Sequence, residues 1–164
     1  AGPVGQVDEC RGDRCRLGRL VRDGGAGTPE PVKAQALGIA DRVEFMGHCE
    51  DIPGLLAHAT FLAHTADSEG CPNVVMEAMA CGRAVVATDV GDIPSIVDHQ
   101  KTGFVVPRGD DAALVKRMAT LIADRELCRQ MGEAGHVKAE REFGLDHLVS
   151  ETLAAYRAAG WRDS

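Results

Sequence analysis

Two carboxylates frame the stretch where the chemistry of this chain is most concentrated. Glu69 closes the polar run His64-Thr-Ala-Asp-Ser-Glu69, and Glu77 follows after Gly70-Cys-Pro-Asn-Val-Val-Met76. A carboxylate accepts several hydrogen bonds at once, which suits it to the paired hydroxyls of a sugar or ribose. Pro72 fits the first turn of a helix over 72–81, with Gly82 as its exit. The free N–H groups and positive dipole end of such a helix suit a phosphate. Hydroxyls beside phosphates mean a nucleotide or a sugar phosphate. The rest of this predicted helix (Val74, Val75, Met76, Ala78, Met79 and Ala80) is apolar on all sides, the mark of a buried helix. A buried carboxylate needs a partner. For Glu77 that partner is either structural, Arg83 or a backbone amide, or a ligand's hydroxyls.

The other reactive residue types form no comparable pattern. His48, His58, His64, His99, His136 and His147 lack the H-E-x-x-H spacing of a zinc site. His64 ends an apolar run and reads either as polar filler or as a group facing the site. Ser68 lacks the G-x-S-x-G context of a hydrolase nucleophile. Gly25-Ala-Gly27 is an incomplete dinucleotide fingerprint. Cys71 reads as a packing residue, and Lys101, Thr102 and Arg108 as solvated loop residues. Cys10, Cys15, Cys49, Cys71, Cys81 and Cys128 form no C-x-x-C pair, so neither zinc nor a disulfide framework is indicated.

The elements that must position these residues alternate from Pro31 onward. Helices are predicted over 32–37, 52–59, 72–81, 110–123, 125–134 and 145–159. Strands are predicted over 42–46, 60–64, 84–88 and 104–106. Short strands apolar on both faces, alternating with helices, specify an α/β fold with a doubly wound parallel sheet. In such a sheet ligands bind beyond the carboxyl ends of the strands, where the 64–77 segment falls. The last helices have no strand between them and pack outside the sheet. Residues 1–16 read as a poorly ordered, atypical front, and 17–160 as a single domain. Leu17–Val21 is a short strand candidate, followed by a Gly-rich loop.

Composition narrows the function classes. The chain has 164 residues, 18 Lys+Arg against 25 Asp+Glu, and a net charge of −7. That balance argues against nucleic-acid binding, which rests on Lys and Arg. One Trp, one Tyr and four Phe make base-stacking or aromatic carbohydrate surfaces poor candidates. Five arginines in residues 1–30 balance five acidic residues, so the whole charge belongs to the remainder. No apolar run reaches the ~18 residues of a membrane helix, and a cytoplasmic location is expected.

Glu69-Gly-Cys-Pro-Asn-Val-Val-Met-Glu77 resembles the E-x7-E segment of retaining glycosyltransferases of the GT-B fold, the glycosyltransferase family 4 or glycosyl transferases group 1 type. The flanking text is similar too: Gly38-Ile-Ala-Asp-Arg-Val-Glu-Phe-Met-Gly-His48, Glu77-Ala-Met-Ala-Cys-Gly82, Val85-Val-Ala-Thr-Asp-Val-Gly91, Thr102-Gly-Phe-Val-Val-Pro107 and Met131-Gly-Glu-Ala-Gly135. The resemblance runs from about Leu37 to Tyr156. It implies the Rossmann-like, nucleotide-sugar-binding C-terminal half of that fold, lacking its first strand and carrying extra C-terminal helices. It implies that Glu77 binds the ribose hydroxyls and that Glu69, the catalytic carboxylate, contacts the donor sugar. Backbone groups of Gly70, Cys71 and Pro72 would lie by the sugar, those of Asn73 and Val74 by the diphosphate, and Gly47-His48 by the base. No metal or other cofactor is implied, since a helix dipole and basic side chains take that role. Thr60, Ala84, Asp92 and Ser95 stand where the family often has Asp, Pro, Gly and Glu. Asp92 thereby brings a negative charge towards the expected donor pocket. The front admits two registers. One makes Arg19 a phosphate ligand. The other aligns Leu20-Val-Arg-Asp-Gly24 with a later family loop and leaves the chain no basic clamp.

The resemblance implies hexosyl transfer from a nucleotide-diphosphate sugar to an acceptor hydroxyl with retained configuration. The acceptor site would lie on an N-terminal domain that 164 residues cannot include, so the chain alone is expected to be inactive. The alternative is a non-catalytic, degenerate module that binds nucleotides or another protein. A GT-B epimerase or phosphorylase is a third reading. The strand neighbouring a missing one invites pairing with a second copy, so a homodimer is a further expectation.

Overall fold

The computed structural model describes residues 18–20, 30–46 and 49–161. It resolves into two compact units, one ending at Ile52 and the other beginning at Pro53. The expected poorly ordered segment 1–16, and the Gly-rich loop after the first strand, lie outside the described residues.

In the first unit, β1 (Gly18–Leu20) pairs in parallel with β2 (Val43–Phe45), Gly18 opposite Val43 and Leu20 opposite Phe45. Between them runs α1 (Glu30–Ala36), with Ala34 buried. Gly38 ends it at φ 66°, a left-handed conformation that costs glycine least. The amide of Ile39 then reaches back to the Ala34 carbonyl at 3.0 Å.

The second unit carries α2 (Ile52–Ala57), β3 (Phe61–His64), α3 (Asn73–Ala80), β4 (Ala84–Thr88), α4 (Ile93–Ile96) and β5 (Gly103–Val106). It ends in three helices, α5 (Asp111–Ala123), α6 (Arg125–Glu142) and α7 (Leu145–Ala158). Strands β3, β4 and β5 form one parallel sheet with β4 in the middle. All five residues of β4 are buried, as a parallel strand covered on both faces requires. Ala84 and Val86 project into a cluster with Phe104, Leu121, Cys128 and Met131. Burying each large apolar side chain of that cluster contributes about 1.5–3 kcal/mol. Burial also pushes the Cys128 thiol above the usual cysteine range. The parallel α/β class expected from the alternation is therefore present, with its pairings made in two separate ladders.

Three local differences from the sequence pattern have physical causes. First, α6 runs to Glu142, well past the expected end near 134. The helix continues through Gly135, because Gly132 and Gly135 are buried interior positions that admit close packing. Second, α3 is buried on one face only, through Val75, Ala78 and Met79, rather than all round. Third, the short helix α4 was not foreseen, because its Ile-Pro-Ser-Ile composition has no helical period to detect. The long helices start where expected: Asp110 Oδ1 accepts from the Ala113 amide at 2.8 Å and Asp124 Oδ1 from the Leu127 amide at 2.9 Å. Each such cap is worth about 1 kcal/mol. The buried Lys138 ties α6 to the α4–β5 connection, donating to Asp98 Oδ1 at 2.7 Å and the Ser95 carbonyl at 2.9 Å. Among the described residues no helix is long and apolar enough to cross a membrane.

The two α6 glycines give opposite expectations for the same substitution. A Cβ on Gly132 would lie 2.2 Å from the Gly82 carbonyl oxygen, whereas one on Gly135 would meet Met79 Cγ at an ordinary 3.5 Å. Gly132→Ala should lower stability by about 1–3 kcal/mol through overpacking. Gly135→Ala should be neutral or stabilising by up to about 1 kcal/mol, because alanine is the better helix former. Urea denaturation of both variants checks this; equal effects of one sign would contradict the close approach of α6 to Gly82.

Candidate functional site

The parallel register brings three strand ends together, with His64 opposite Ala87 and Thr88 opposite Val106. The loop 65–72 leaves β3 at this edge and enters α3. Its main chain is held at several points by the loops that leave the neighbouring strands. Thr88 Oγ1, at the end of β4, donates to the Ala66 carbonyl at 2.6 Å. Arg108 Nη1, beyond β5, donates to the Asp67 carbonyl at 3.0 Å. The Asp92 amide donates to the Gly70 carbonyl at 2.9 Å. Gly91 (φ 53°) presses against the same segment: a Cβ there would lie 2.3 Å from the Glu69 carbonyl oxygen. Only glycine fits, for steric and conformational reasons together.

Glu69, Gly70 and Cys71 are exposed on this loop, and Pro72 is buried as it turns into α3. No side chain caps α3. Its first-turn amides at Asn73 and Val74 have no intrahelical acceptor, and Pro72 offers them no side-chain one. Glu77 lies four residues beyond Asn73, so the two share one helix face about one 5.4 Å turn apart. That face is open, and both Asn73 and Glu77 are exposed. Helical side chains lean towards the N-terminus, so the Glu77 carboxylate inclines towards the free amides.

The expectation of a buried Glu77 is thus corrected. Helix α3 turns its polar residues outward, and no structural partner neutralises the carboxylate among the described residues. Arg83, considered for that role, instead donates to the Ala59 carbonyl at 3.0 Å and the Cys81 carbonyl at 3.0 Å. The structure places Glu69, Gly70, Cys71, Asn73 and Glu77 exposed along one stretch from loop to helix, with Pro72 buried and Val74 half-buried between them. Gly47 and His48, expected at the base, lie outside the described residues, as does the side chain of Arg19. Sequence reasoning missed Thr88, Gly91 and Arg108. The signal available was topological: each follows or ends a strand parallel to β3, so each had to arrive at the same sheet edge. Among the described residues no group of three or more His, Cys, Asp or Glu side chains is placed to hold a metal ion.

The chain is similar to known proteins in both sequence and fold. Residues 18–124 match the family model described as glycosyl transferases group 1. N-acetyl-alpha-D-glucosaminyl L-malate synthase of Bacillus anthracis is 33% identical over 120 residues, covering 73% of this chain and 32% of that protein. Anabaena Alr3699/HepE, solved in complex with UDP-glucose, superposes with a TM-score of 0.72 at 31% identity, covering 84% of this chain and 40% of that one. Sucrose-phosphate synthase of Thermosynechococcus elongatus gives a TM-score of 0.74 at 26% identity, covering 86% and 38%. The chain spans about a third of the length of the curated relatives it matches.

The hold on loop 65–72 predicts a specific loss. Thr88→Val removes the donor to the buried-side Ala66 carbonyl and should cost about 1–2 kcal/mol, measured by chemical denaturation. Hydrogen exchange should accelerate at the amides of residues 66–70 more than in β5. Unchanged exchange in the loop would show that this bond does not fix it.

Proposed function

The chain belongs to the glycosyl transferases group 1 family, and from that premise we propose that it binds a nucleotide-diphosphate sugar as the donor half of a retaining glycosyltransferase. The observation that carries this reading is the open face of α3. It sets a carboxylate one turn beyond a helix N-terminus with free amides, so hydroxyls and phosphate can be bound side by side. The solved complex of Alr3699/HepE with UDP-glucose supports it, as a similar fold holding a ligand of that class.

In this proposal Glu77 accepts hydrogen bonds from the ribose hydroxyls. The amides of Asn73 and Val74, at the positive end of α3, take the diphosphate. Gly70, Cys71 and Pro72 bring main chain close to the sugar. Glu69, projecting from the clamped loop, meets the sugar hydroxyls and is the catalytic carboxylate. Gly47 and His48 are assigned to the base. Fixed dipoles stabilise the departing nucleoside diphosphate without a metal or other cofactor, because they already point at the charge that develops there. The Asp92 amide bonds the Gly70 carbonyl, so this residue brings a negative charge to the neighbourhood of the donor loop.

Acceptor binding belongs, in this reading, to polypeptide outside these 164 residues, and the chain alone does not turn over. Residues 17–160, expected from the sequence to be a single domain, would serve the donor in the cytoplasm, and a second copy is the proposed partner for a strand edge left unpaired among the described residues. A non-catalytic binding module is the rival reading, favoured by the charge of −7 around a site for anions.

Calorimetric titration with UDP, GDP and ADP tests the proposal. At least one should bind saturably, and Glu77→Ala should weaken it by tenfold or more while leaving the fold intact by circular dichroism. Absence of binding at millimolar nucleotide would favour the rival reading. Sugar transfer by the isolated chain with any donor–acceptor pair would overturn its assignment as a donor half alone.

A further inference from the structure

His64 ends β3, and its ring is mostly buried where the site loop begins. Its Nε2 is buried without any hydrogen-bond partner among the described residues. The same nitrogen lies 3.5 Å from Glu69 Oε2, an oxygen on a side chain that is one-third exposed. A buried polar nitrogen is normally paired, and each exception calls for an account. Here an acceptor 3.5 Å away is the Glu69 carboxylate, the group proposed to meet the donor sugar.

A carboxylate only accepts hydrogen bonds, and a neutral imidazole donates from one nitrogen and accepts at the other. With a bare Nε2 facing it, the Glu69 oxygen would meet a lone pair, and both groups would be repelled. With a proton on Nε2 the same contact becomes a charge-assisted hydrogen bond after a closure of a few tenths of an ångström. Catalytic hydrogen bonds are often loose before the ligand arrives and tighten in the complex. The rest of the loop is already fixed through Ala66, Asp67 and Gly70, so the free variable is the rotation of the Glu69 side chain.

The geometry points to His64 as the positioning residue of Glu69. Its Nε2–H holds one carboxylate oxygen so that the other is presented to the hydroxyls of the donor sugar. The inference rests on the donor-binding reading and adds a division of labour to it. Glu77 and the α3 amides grip the nucleotide, while His64 acts only on the sugar. Its removal should therefore be felt by nucleotide sugars and not by nucleotides.

Two measurements on the 164-residue chain decide this. The first is calorimetric titration with the matched pairs UDP and UDP-glucose, GDP and GDP-mannose, and ADP and ADP-glucose. For the pair that the unsubstituted chain binds, His64→Leu should weaken the nucleotide sugar about tenfold and leave the nucleoside diphosphate within twofold. His64→Gln, which returns an N–H near the Nε2 position, should restore most of that loss. A general structural role would weaken both members of the pair together, and that result would overturn the inference. So would an unchanged affinity for both. If no pair binds to the unsubstituted chain, the donor-binding reading itself fails and takes this inference with it.

The second measurement needs no ligand and no His64 variant. Long-range proton–nitrogen NMR spectra of the imidazoles should show His64 protonated at Nε2, with that nitrogen's resonance moving in Glu69→Gln. A His64 ring carrying its proton on Nδ1 alone would overturn the inference even where donor binding stands.

Discussion

The parallel pairing of β3, β4 and β5 is the constraint on which the site depends. Parallel strands place all their carboxyl ends on one edge, so the three loops that leave them must share a small volume. In that volume the carbonyls of loop 65–72 are taken up one by one: Ala66 by Thr88, Asp67 by Arg108 and Gly70 by the Asp92 amide. A loop whose acceptors are satisfied internally has little reason to change shape, because unpaired main-chain groups are costly away from water. The side chains of Asp67, Ser68, Glu69 and Cys71 are left exposed on the outer side of the loop. The site is thus held from within by bonds to the Ala66, Asp67 and Gly70 carbonyls.

That arrangement also meets an electrostatic difficulty. A domain carrying a net −7 is a poor host for a diphosphate if binding depends on net charge. A helix N-terminus works differently. Its partial positive charge is fixed in direction and acts over a few ångströms, whereas the field of the scattered carboxylates is screened over about 8–10 Å of salt solution. The one basic side chain bonded to the described site loop, Arg108, is turned to a carbonyl and adds its charge at the loop's edge. Local dipoles can therefore outweigh the unfavourable total, provided the ligand comes within hydrogen-bonding distance of the α3 amides.

Much of this was legible in the sequence. The periodicity of Ala84–Thr88 located the central strand exactly where it lies, because a strand buried on both faces leaves an unbroken apolar run. The start of α3 was legible from Pro72, and the starts of α5 and α6 to within a residue from the amphipathic pattern, since both signals are local along the chain. What the sequence hid was whatever depends on a partner distant along the chain. Gly135 reads as a helix end until Met79 is seen beside it. Thr88 reads as the end of a strand and Arg108 as a solvated loop residue until the sheet delivers them to the Ala66 and Asp67 carbonyls. Glu77 reads as buried because its neighbours are apolar, but an amphipathic pattern says which residues differ, not which side has a cover. The face of α3 that carries Glu77 stays open.

The two carboxylates of the site consequently differ in kind, and the difference suits what each would bind. Glu77 sits in the middle of α3, its backbone bonds closed by the helix and its direction set by the helical tilt of side chains. A group held in this way suits a ligand part of fixed geometry, as the proposed ribose would be. Glu69 sits on a loop, where main chain is fixed but side-chain rotation is not. A group of that kind has to be aimed, and the aim can be changed by a single neighbour without disturbing the fold. The orphaned nitrogen of His64 is the neighbour within reach. The helix thus sets the direction of Glu77, whereas a residue at the end of one strand would set that of Glu69.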